Sequence, residues 1–309
     1  MIRRAVAAMV AAAALALGAG GAAAGERLEV NALEYPWSAV GRVNAAGRAH
    51  CTGTLVGERL VLTAAHCLYS KDNRRWWHAT ELHFVAGYQR GASPMHSAVR
   101  SMVRADGYAF SEHPPPESED NDWALLELAE PLGRQAGWLG VEPLTVESVG
   151  RMRKQGVPMV LAGYRADRAQ IITIDRHCEI KGVIKDTPIF VHNCDAIHGD
   201  SGGPLMAFIG DEARVIGVHV ITMTANDRKM GGAVSTAVLA DERRWPVAAA
   251  AAAALGLRPP VSGRAPGPGG PAATVPADTV AALRHGPGGG AASVAVLGRL
   301  LAAGEPRTP

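Results

Sequence analysis

Charged residues are scarce in this chain, and their signs nearly balance. Of its 309 residues 19% are charged, and the formal net charge is +2. Residues 1–24 hold two arginines and no acid, and residues 246–309 hold five arginines, one aspartate and one glutamate. Residues 25–245 therefore carry a formal charge of about −3. Binding to nucleic acid or to an anionic membrane needs a basic excess, so the composition argues against both partners.

A strong transmembrane segment is also missing. Two arginines precede a short apolar stretch, Ala5–Leu17, and Ala22-x-Ala24 has the spacing of a signal-peptidase site. The stretch is rich in alanine and glycine and no stop-transfer pattern follows it, so a membrane anchor is the weaker interpretation. We predict that residues 1–24 are a signal peptide. The protein would then be exported, to the periplasm or the extracellular space, without stable membrane insertion.

Cysteine is rare, and no C-x-x-C pair of the kind that holds structural zinc is present. A histidine lies beside or near each of the four cysteines, but adjacent residues of a strand point to opposite faces, so a His-Cys dipeptide chelates one ion poorly. We therefore expect no metal and no cofactor. In an exported chain an even count favours disulfides, and four cysteines allow three pairings. The cysteines are Cys51, Cys67, Cys178 and Cys194.

The middle of the chain has few amphipathic helical patterns and many short strand patterns. CTGTLV and LVLTAAHC, separated by GER, predict a hairpin that brings Cys51 near Cys67. SEHPPPESED, residues 111–120, predicts a polar surface loop. Many short strands without intervening helices favour a β-barrel or sandwich over a parallel sheet. The other predicted strands are ELHFVAG, AVRSMV, WALLEL, MVLAGY, QIITI and RVIGVHVIT.

The C-terminal part lacks the composition of a folded core. The alanine run Ala248–Ala254 predicts the end of a last helix, and beyond Leu257 proline, glycine and alanine dominate. We interpret residues 246–309 as a tail, a helix end followed by linker or disorder. No aromatic or repeat pattern in it indicates a cell-wall-binding module.

Three short stretches carry candidate chemistry. LVLTAAHC contains His66, DNDWALLEL has Asp122 at the start of a buried strand, and GDSGGP has Ser201 in a glycine-rich turn. Gly199-x-Ser201-x-Gly203 also has the spacing of the α/β-hydrolase nucleophile elbow. That fold requires the order serine, acid, histidine, whereas here the histidine and the acid come first. The order excludes an esterase of that type.

In this order, the stretches resemble the trypsin-like, chymotrypsin-fold secreted serine proteases. The resemblance covers about residues 31–245 and includes YPWSAVGRV, CTGTLVGERLVLTAAHC, DNDWALLEL, LAGY and GDSGGPL. RHCEI and VHNCDAIHGDSGGP are similar to the bacterial branch that includes glutamyl endopeptidases. The resemblance implies an all-β fold of two six-stranded antiparallel β-barrels with a C-terminal helix. The protease domain would be residues 25–245, with one barrel at about 31–140 and the other at about 141–245.

The same resemblance implies a serine endopeptidase that acts on proteins or peptides. An acyl-enzyme would form on Ser201, with His66 as the base and Asp122 orienting and stabilising its imidazolium. Backbone N–H groups of Gly199 and Ser201 would form the oxyanion hole. We expect a monomer. The alternative is a catalytically silent binding protein on the same fold, which the complete set of three residues disfavours.

The resemblance also implies two disulfides, Cys51–Cys67 and Cys178–Cys194. It gives Asp200 two interpretations, because in the family this residue can pair with a free α-amino group made by processing. Candidate N-termini are Gly25, or Leu28 after a cut at Arg27, although the chain lacks the usual start. The alternative is a turn carboxylate bonded to backbone N–H groups.

Signals for substrate specificity conflict. Asp195 lies six residues before Ser201, where trypsin-like enzymes keep the carboxylate that binds Arg or Lys. His219 matches the histidine that glutamyl endopeptidases use for acidic side chains. Because Asp195 keeps its spacing without a gap, we favour cleavage after basic residues. The substrate backbone would pair with the strand Val220, Ile221 and Thr222.

Overall fold

The computed structural model describes residues 27–47, 49–225, 228–240 and Leu283. The predicted signal peptide and C-terminal helix therefore lie outside the described residues, as does the tail apart from Leu283. Leu283 is partly buried against the hydrophobic core. No helix in the described part of the chain combines the length and apolarity needed to cross a bilayer.

Strands dominate the described chain, as predicted. They are β1 (Leu28–Glu29), β2 (Val40–Ala45), β3 (Ala49–Leu55), β4 (Leu60–Thr63), β5 (Tyr69–Ser70), β6 (Arg75–Trp76), β7 (Leu82–Ala86), β8 (Met95–Arg104), β9 (Ala124–Leu128), β10 (Gly140–Val141), β11 (Met159–Gly163), β12 (Thr173–Asp175), β13 (Ile180–Val183), β14 (Ile189–His192), β15 (Pro204–Ile209), β16 (Glu212–Ala225) and β17 (Arg228–Ser235). Two α-helices are described, α1 (Gly133–Ala136) and α2 (Val146–Lys154), together with six short 3-10 helices. The all-β, chymotrypsin-like fold is confirmed.

The first half forms a closed antiparallel barrel in the order β2-β3-β4-β9-β8-β7, with β7 pairing back onto β2. Along β2, buried Val43 and Ala45 alternate with half-buried Arg42 and Asn44, as a strand with one face in a core requires. The predicted hairpin of β3 and β4 is present. Strand β9 is buried along its whole length, in keeping with the apolar run ALLEL.

The second half has more strands than the six we expected. Its ladder runs β1-β12-β11-β15-β16-β17-β14-β13, and β10 pairs with β16. The described ladder is open between β12 and β14, because β1 and β13 take the remaining edges of those two strands. The N-terminal strand β1 thus joins the sheet of the second half. Its register sets Leu28 opposite Ile174, which brings the start of the described chain beside β12.

Both predicted disulfides are formed, and they lie near the turns that carry candidate residues. The bridge Cys51–Cys67 joins β3 to the 3-10 helix that follows β4. The bridge Cys178–Cys194 joins the segment after β12 to the segment after β14. Each closes a loop of 16 residues, which the chain-entropy model values at about 3 kcal/mol.

Candidate active site

The barrel itself brings His66 and Asp122 together. Strands β4 and β9 pair with Thr63 opposite Ala124. His66 follows the end of β4 and Asp122 precedes the start of β9, so the pairing brings the two residues together. His66 Nδ1 lies 2.6 Å from Asp122 Oδ2, and the His66 backbone N–H donates to Asp122 Oδ1 at 2.8 Å. The Asp122 side chain is fully buried, while 22% of the His66 side chain is exposed. Asp122 thus fixes the ring, and the ring's other edge is left to the cleft.

Ser201 lies in a tight turn whose shape depends on glycine. Gly199 has φ +92° and Gly202 has φ +77°, a conformation that other residues rarely adopt. A Cβ on Gly199 would lie 2.3 Å from the Tyr164 carbonyl oxygen, and one on Gly202 would lie 2.3 Å from the Thr52 carbonyl oxygen. The turn therefore packs too tightly for side chains at either position.

Strand β3 of the first barrel anchors this turn, although the turn belongs to the second half of the chain. The Thr52 backbone N–H donates to the Ser201 carbonyl at 2.9 Å, and Thr52 Oγ1 donates to the Gly199 carbonyl at 2.7 Å. The two halves of the candidate site are thus joined by direct hydrogen bonds. Ser201, Gly199 and His66 all line one cleft of about 880 Å³.

The residues predicted to bind substrate divide into two groups. His219, Val220, Ile221 and Thr222 line the cleft with Ser201. Asp195 is absent from the described lining, and its Oδ2 accepts a hydrogen bond from Arg165 Nη1 at 2.6 Å. The structure therefore places Asp195 against Arg165 and outside the described lining of this cleft, whereas the sequence spacing had put it in the substrate pocket. The Asp195 carboxylate is thus paired with the Arg165 guanidinium.

His219 is buried, and behind it lies a second histidine. His192 Nε2 is 3.2 Å from His219 Nδ1, and Gly231 packs against the His192 ring so closely that a Cβ there would lie 2.1 Å from it. Burial lowers the pKa of His192 to about 3 and holds that of His219 well below its usual range. Both imidazoles are therefore neutral at physiological pH. Lys229, an exposed residue of β17, also lines the cleft.

Glu119 was missed by the sequence reasoning, which placed it in a polar surface loop. The residue is buried, lines the cleft and lies against Asp122 and Tyr108. Burial first, and then the negative charge of Asp122, raise the pKa of Glu119 to about 8. Two adjacent carboxyl groups cannot both ionise cheaply, so Glu119 stays protonated at neutral pH and can donate to Asp122. The prolines and acids of residues 111–120 gave no sign of this burial.

The ionisation of Glu119 predicts a pH dependence of stability. Its pKa is higher in the folded protein than in the unfolded chain, so stability should fall as pH rises from about 5 through about 8. Glu119→Gln should flatten this decline because the amide stays neutral. Denaturant unfolding at pH 5, 7 and 9 measures it, with exposed Glu112→Gln as the control. An equally steep decline in Glu119→Gln and in the unmodified protein would contradict this assignment.

Two groups of side chains have the composition of a metal site, but both are already engaged. His66, Glu119 and Asp122 place ligand atoms within 4.8 Å of one another, as do Cys51, His66 and Cys67. A cation in the first group would have to break the His66–Asp122 hydrogen bond. In the second group both sulfur atoms belong to a disulfide. Neither arrangement points to a resident metal.

A closed β-barrel supplies a histidine backed by a buried aspartate, and a glycine turn of a second β-unit supplies a serine in the same cleft. This arrangement is typical of the trypsin-like class of serine protease folds. A family model for trypsin matches residues 25–241. The chain belongs to the trypsin family.

Individual relatives share less than a third of their aligned residues with this chain. Serine protease 23 of Bos taurus is 29% identical over 186 residues, which is 55% of this chain and 46% of that protein. Glutamyl endopeptidase of Bacillus licheniformis is 24% identical over 177 residues, covering 57% of this chain and 50% of that protein. Trypsin of Sarcophaga bullata is 27% identical over 185 residues, covering 53% of this chain and 66% of that protein. The chain thus spans about half the length of the first relatives it matches.

A solved structure of a Glu endopeptidase in complex with MPD superposes with a TM-score of 0.55 at 18% identity. The superposition covers 69% of this chain and 93% of the Glu endopeptidase chain. At this identity the likeness shows the fold alone. These three relatives come from a mammal, a bacterium and an insect, so they do not identify a bacterial branch.

Proposed function

We propose that this protein is a serine endopeptidase that forms an acyl-enzyme on Ser201. The observation that carries the proposal is the buried Asp122 carboxylate, which holds both the backbone and the ring of His66 while Ser201 shares its cleft. Buried carboxylates that orient a cleft histidine serve to fix its tautomer and to stabilise the imidazolium. A merely structural histidine would not require this arrangement.

The proposed reaction uses the same groups in both half-cycles, with His66 acting first as a base and then as an acid. The Ser201 hydroxyl adds to the substrate carbonyl carbon as His66 Nε2 takes its proton, and Asp122 stabilises the resulting imidazolium. Backbone N–H groups of Gly199 and Ser201 would bind the oxyanion. The imidazolium then gives its proton to the leaving amine, which leaves the acyl-enzyme. Water then adds to the acyl carbon as His66 Nε2 takes its proton. The imidazolium returns that proton to Ser201 Oγ as the acyl bond breaks, which releases the acid product and restores free Ser201.

Titration with a fluorophosphonate tests the proposal. The reagent reacts with a serine only when a base activates it, so we expect one label per chain, on Ser201, and a burst of product from an activated ester. His66→Ala should abolish the labelling, while exposed His113→Ala, a change in the same cleft, should not. A folded protein that takes no label would be a silent binding protein on this fold.

For specificity we propose acidic side chains, which replaces our sequence-based choice of basic ones. Asp195 is paired with Arg165 and is not among the residues described as lining the cleft, whereas His219 and Lys229 are. A neutral imidazole and an ammonium can both donate hydrogen bonds to a carboxylate. The name of the Bacillus licheniformis relative, a glutamyl endopeptidase, agrees with this choice.

A peptide library that varies the residue before the cleaved bond tests the specificity. We expect cleavage after Glu or Asp, reduced at least ~10-fold in His219→Ala, the effect of one lost hydrogen bond to a charged group. Asp195→Ser should leave the profile unchanged. A collapse of cleavage after Arg or Lys in Asp195→Ser would restore Asp195 as the specificity residue.

We further propose that the protein is a monomer that acts outside the cytoplasm. We also propose that it belongs to the bacterial branch of the family. Two disulfides and the signal-like residues 1–24 support export, since disulfides persist in oxidising compartments. Gel filtration tests the monomer. Sequencing the N-terminus of secreted protein tests cleavage after Ala24.

A further inference from the structure

A buried arginine near the start of the described chain contacts the catalytic turn. The Arg27 Nη2 donates to Asp200 Oδ1 at 2.7 Å, and the two side chains are 2% and 0% exposed. Arg27 also donates from Nη1 to the Asp195 carbonyl at 2.9 Å and from Nη2 to the Thr173 carbonyl at 3.1 Å. Its guanidinium thus joins β12 to the segment that leads into the turn.

Asp200 links this guanidinium to the atoms that would do the chemistry. It lies between Gly199 and Ser201, and its Oδ2 accepts the Ile197 backbone N–H at 3.0 Å. Its carbonyl accepts the Gly203 N–H at 2.8 Å. Both the side chain and the backbone of Asp200 are thus held by hydrogen bonds beside the two residues whose N–H groups would bind the oxyanion.

We propose that the Arg27 side chain is the positioning residue that holds residues 198–203 in the active conformation, with no need for a chain-terminal amine. The inference rests on the proposed function. Burial makes the charged form of Asp200 costly, and a buried carboxylate stays ionised in place only with a cationic partner. Arg27 supplies that cation from a side chain. The residues that precede Arg27 therefore need not be cleaved off to supply the cation.

Substitution of Arg27 is expected to reduce catalysis more than ground-state binding. Arg27→Ala should lower kcat at least ~100-fold, the effect of one lost oxyanion donor, and change KM little. Affinity for a peptide boronic acid, which forms a tetrahedral adduct on Ser201, should fall in parallel. Arg27→Lys should restore part of kcat, since one ammonium can reach Asp200 but not all four acceptor atoms that the guanidinium contacts, which include Thr173 Oγ1. Ethylguanidinium should restore activity to Arg27→Ala by entering the cavity left there.

Arg90→Ala is the matched control, because its exposed guanidinium pairs with Glu29, two residues from Arg27. It should leave kcat within about twofold. Equal kcat in Arg27→Ala and Arg90→Ala would overturn the proposal. So would a loss in Arg27→Ala that appears entirely in KM.

A second test leaves Arg27 in place, so it needs no substitution that could prevent folding. We compare protein beginning at Gly25 with protein that carries a non-cleavable extension before Gly25. Equal kcat in both forms supports the role of the Arg27 side chain. Ser201-dependent hydrolysis only in the form with the free terminus would overturn it and leave the proposed function standing. Hydrolysis in neither form would overturn the proposed function itself.

Discussion

Ser201→Ala should lower kcat by about 10⁶-fold, the loss found when the nucleophile of such a triad is removed. The hydroxyl is the only atom of the side chain that can form the acyl bond, and no other group substitutes for it. Fluorophosphonate labelling should disappear with the activity. Both are measured on the purified variant.

The same substitution should leave the fold intact, which separates chemistry from structure. The contact that anchors Ser201 is its backbone carbonyl, which accepts from the Thr52 N–H, and alanine keeps it. We therefore expect a Tm within about 2 °C of the unmodified protein, a free-energy change under about 0.5 kcal/mol. Ser111→Ala, in an exposed residue of the same cleft, is the control and should stay active. Labelling that persists in Ser201→Ala would move the nucleophile elsewhere.

Local patterns were enough to predict the parts of the site that local structure builds. The hairpin of β3 and β4 followed from two apolar runs around a short turn, and it brings Cys51 to Cys67. Ser201 was expected in a glycine-rich turn, and in the structure Gly199 and Gly202 have positive φ angles there. In each case the residues concerned are close in sequence, or their spacing is set by one strand pair.

Contacts between distant segments were not predictable in this way. Asp195 has the spacing of a pocket carboxylate, yet it forms an ion pair with Arg165, thirty residues earlier in the chain. The pairing of Arg27 with Asp200 spans 173 residues and depends on the register of β1 on β12. Sequence spacing locates a side chain along the backbone, but which charges meet depends on tertiary packing.

The extra strands of the second half have a similar explanation. Strand β1 is two residues long, and β13 forms a short hairpin with β14. Neither has a pattern that distinguishes it from loop, because two to four residues carry too little periodicity. Their pairing energy comes from the edges that β12 and β14 offer, and these edges exist only in the folded sheet.

Asp122→Asn should lower kcat by about 10⁴-fold, the loss seen when the triad carboxylate becomes an amide. Asp122 Oδ1 accepts the His66 backbone N–H, and an asparagine oxygen can still do so. The amide NH₂ then faces Nδ1, where Oδ2 now lies at 2.6 Å. A donor there requires an unprotonated Nδ1, so the proton moves to Nε2. His66 then meets Ser201 with a donor and cannot take its proton.

The steady-state rate and the structure of this variant together decide the role of Asp122. KM should change far less than kcat, because Asp122 is fully buried and is not among the residues lining the cleft. Asp72→Asn makes the same chemical change at an exposed aspartate of the cleft and should keep kcat within about twofold. If Asp122→Asn retained full activity in a correctly folded protein, His66 would not depend on this carboxylate for its tautomer. The base would then have to be oriented by another group, and Glu119 is the carboxyl group that lies next to both residues.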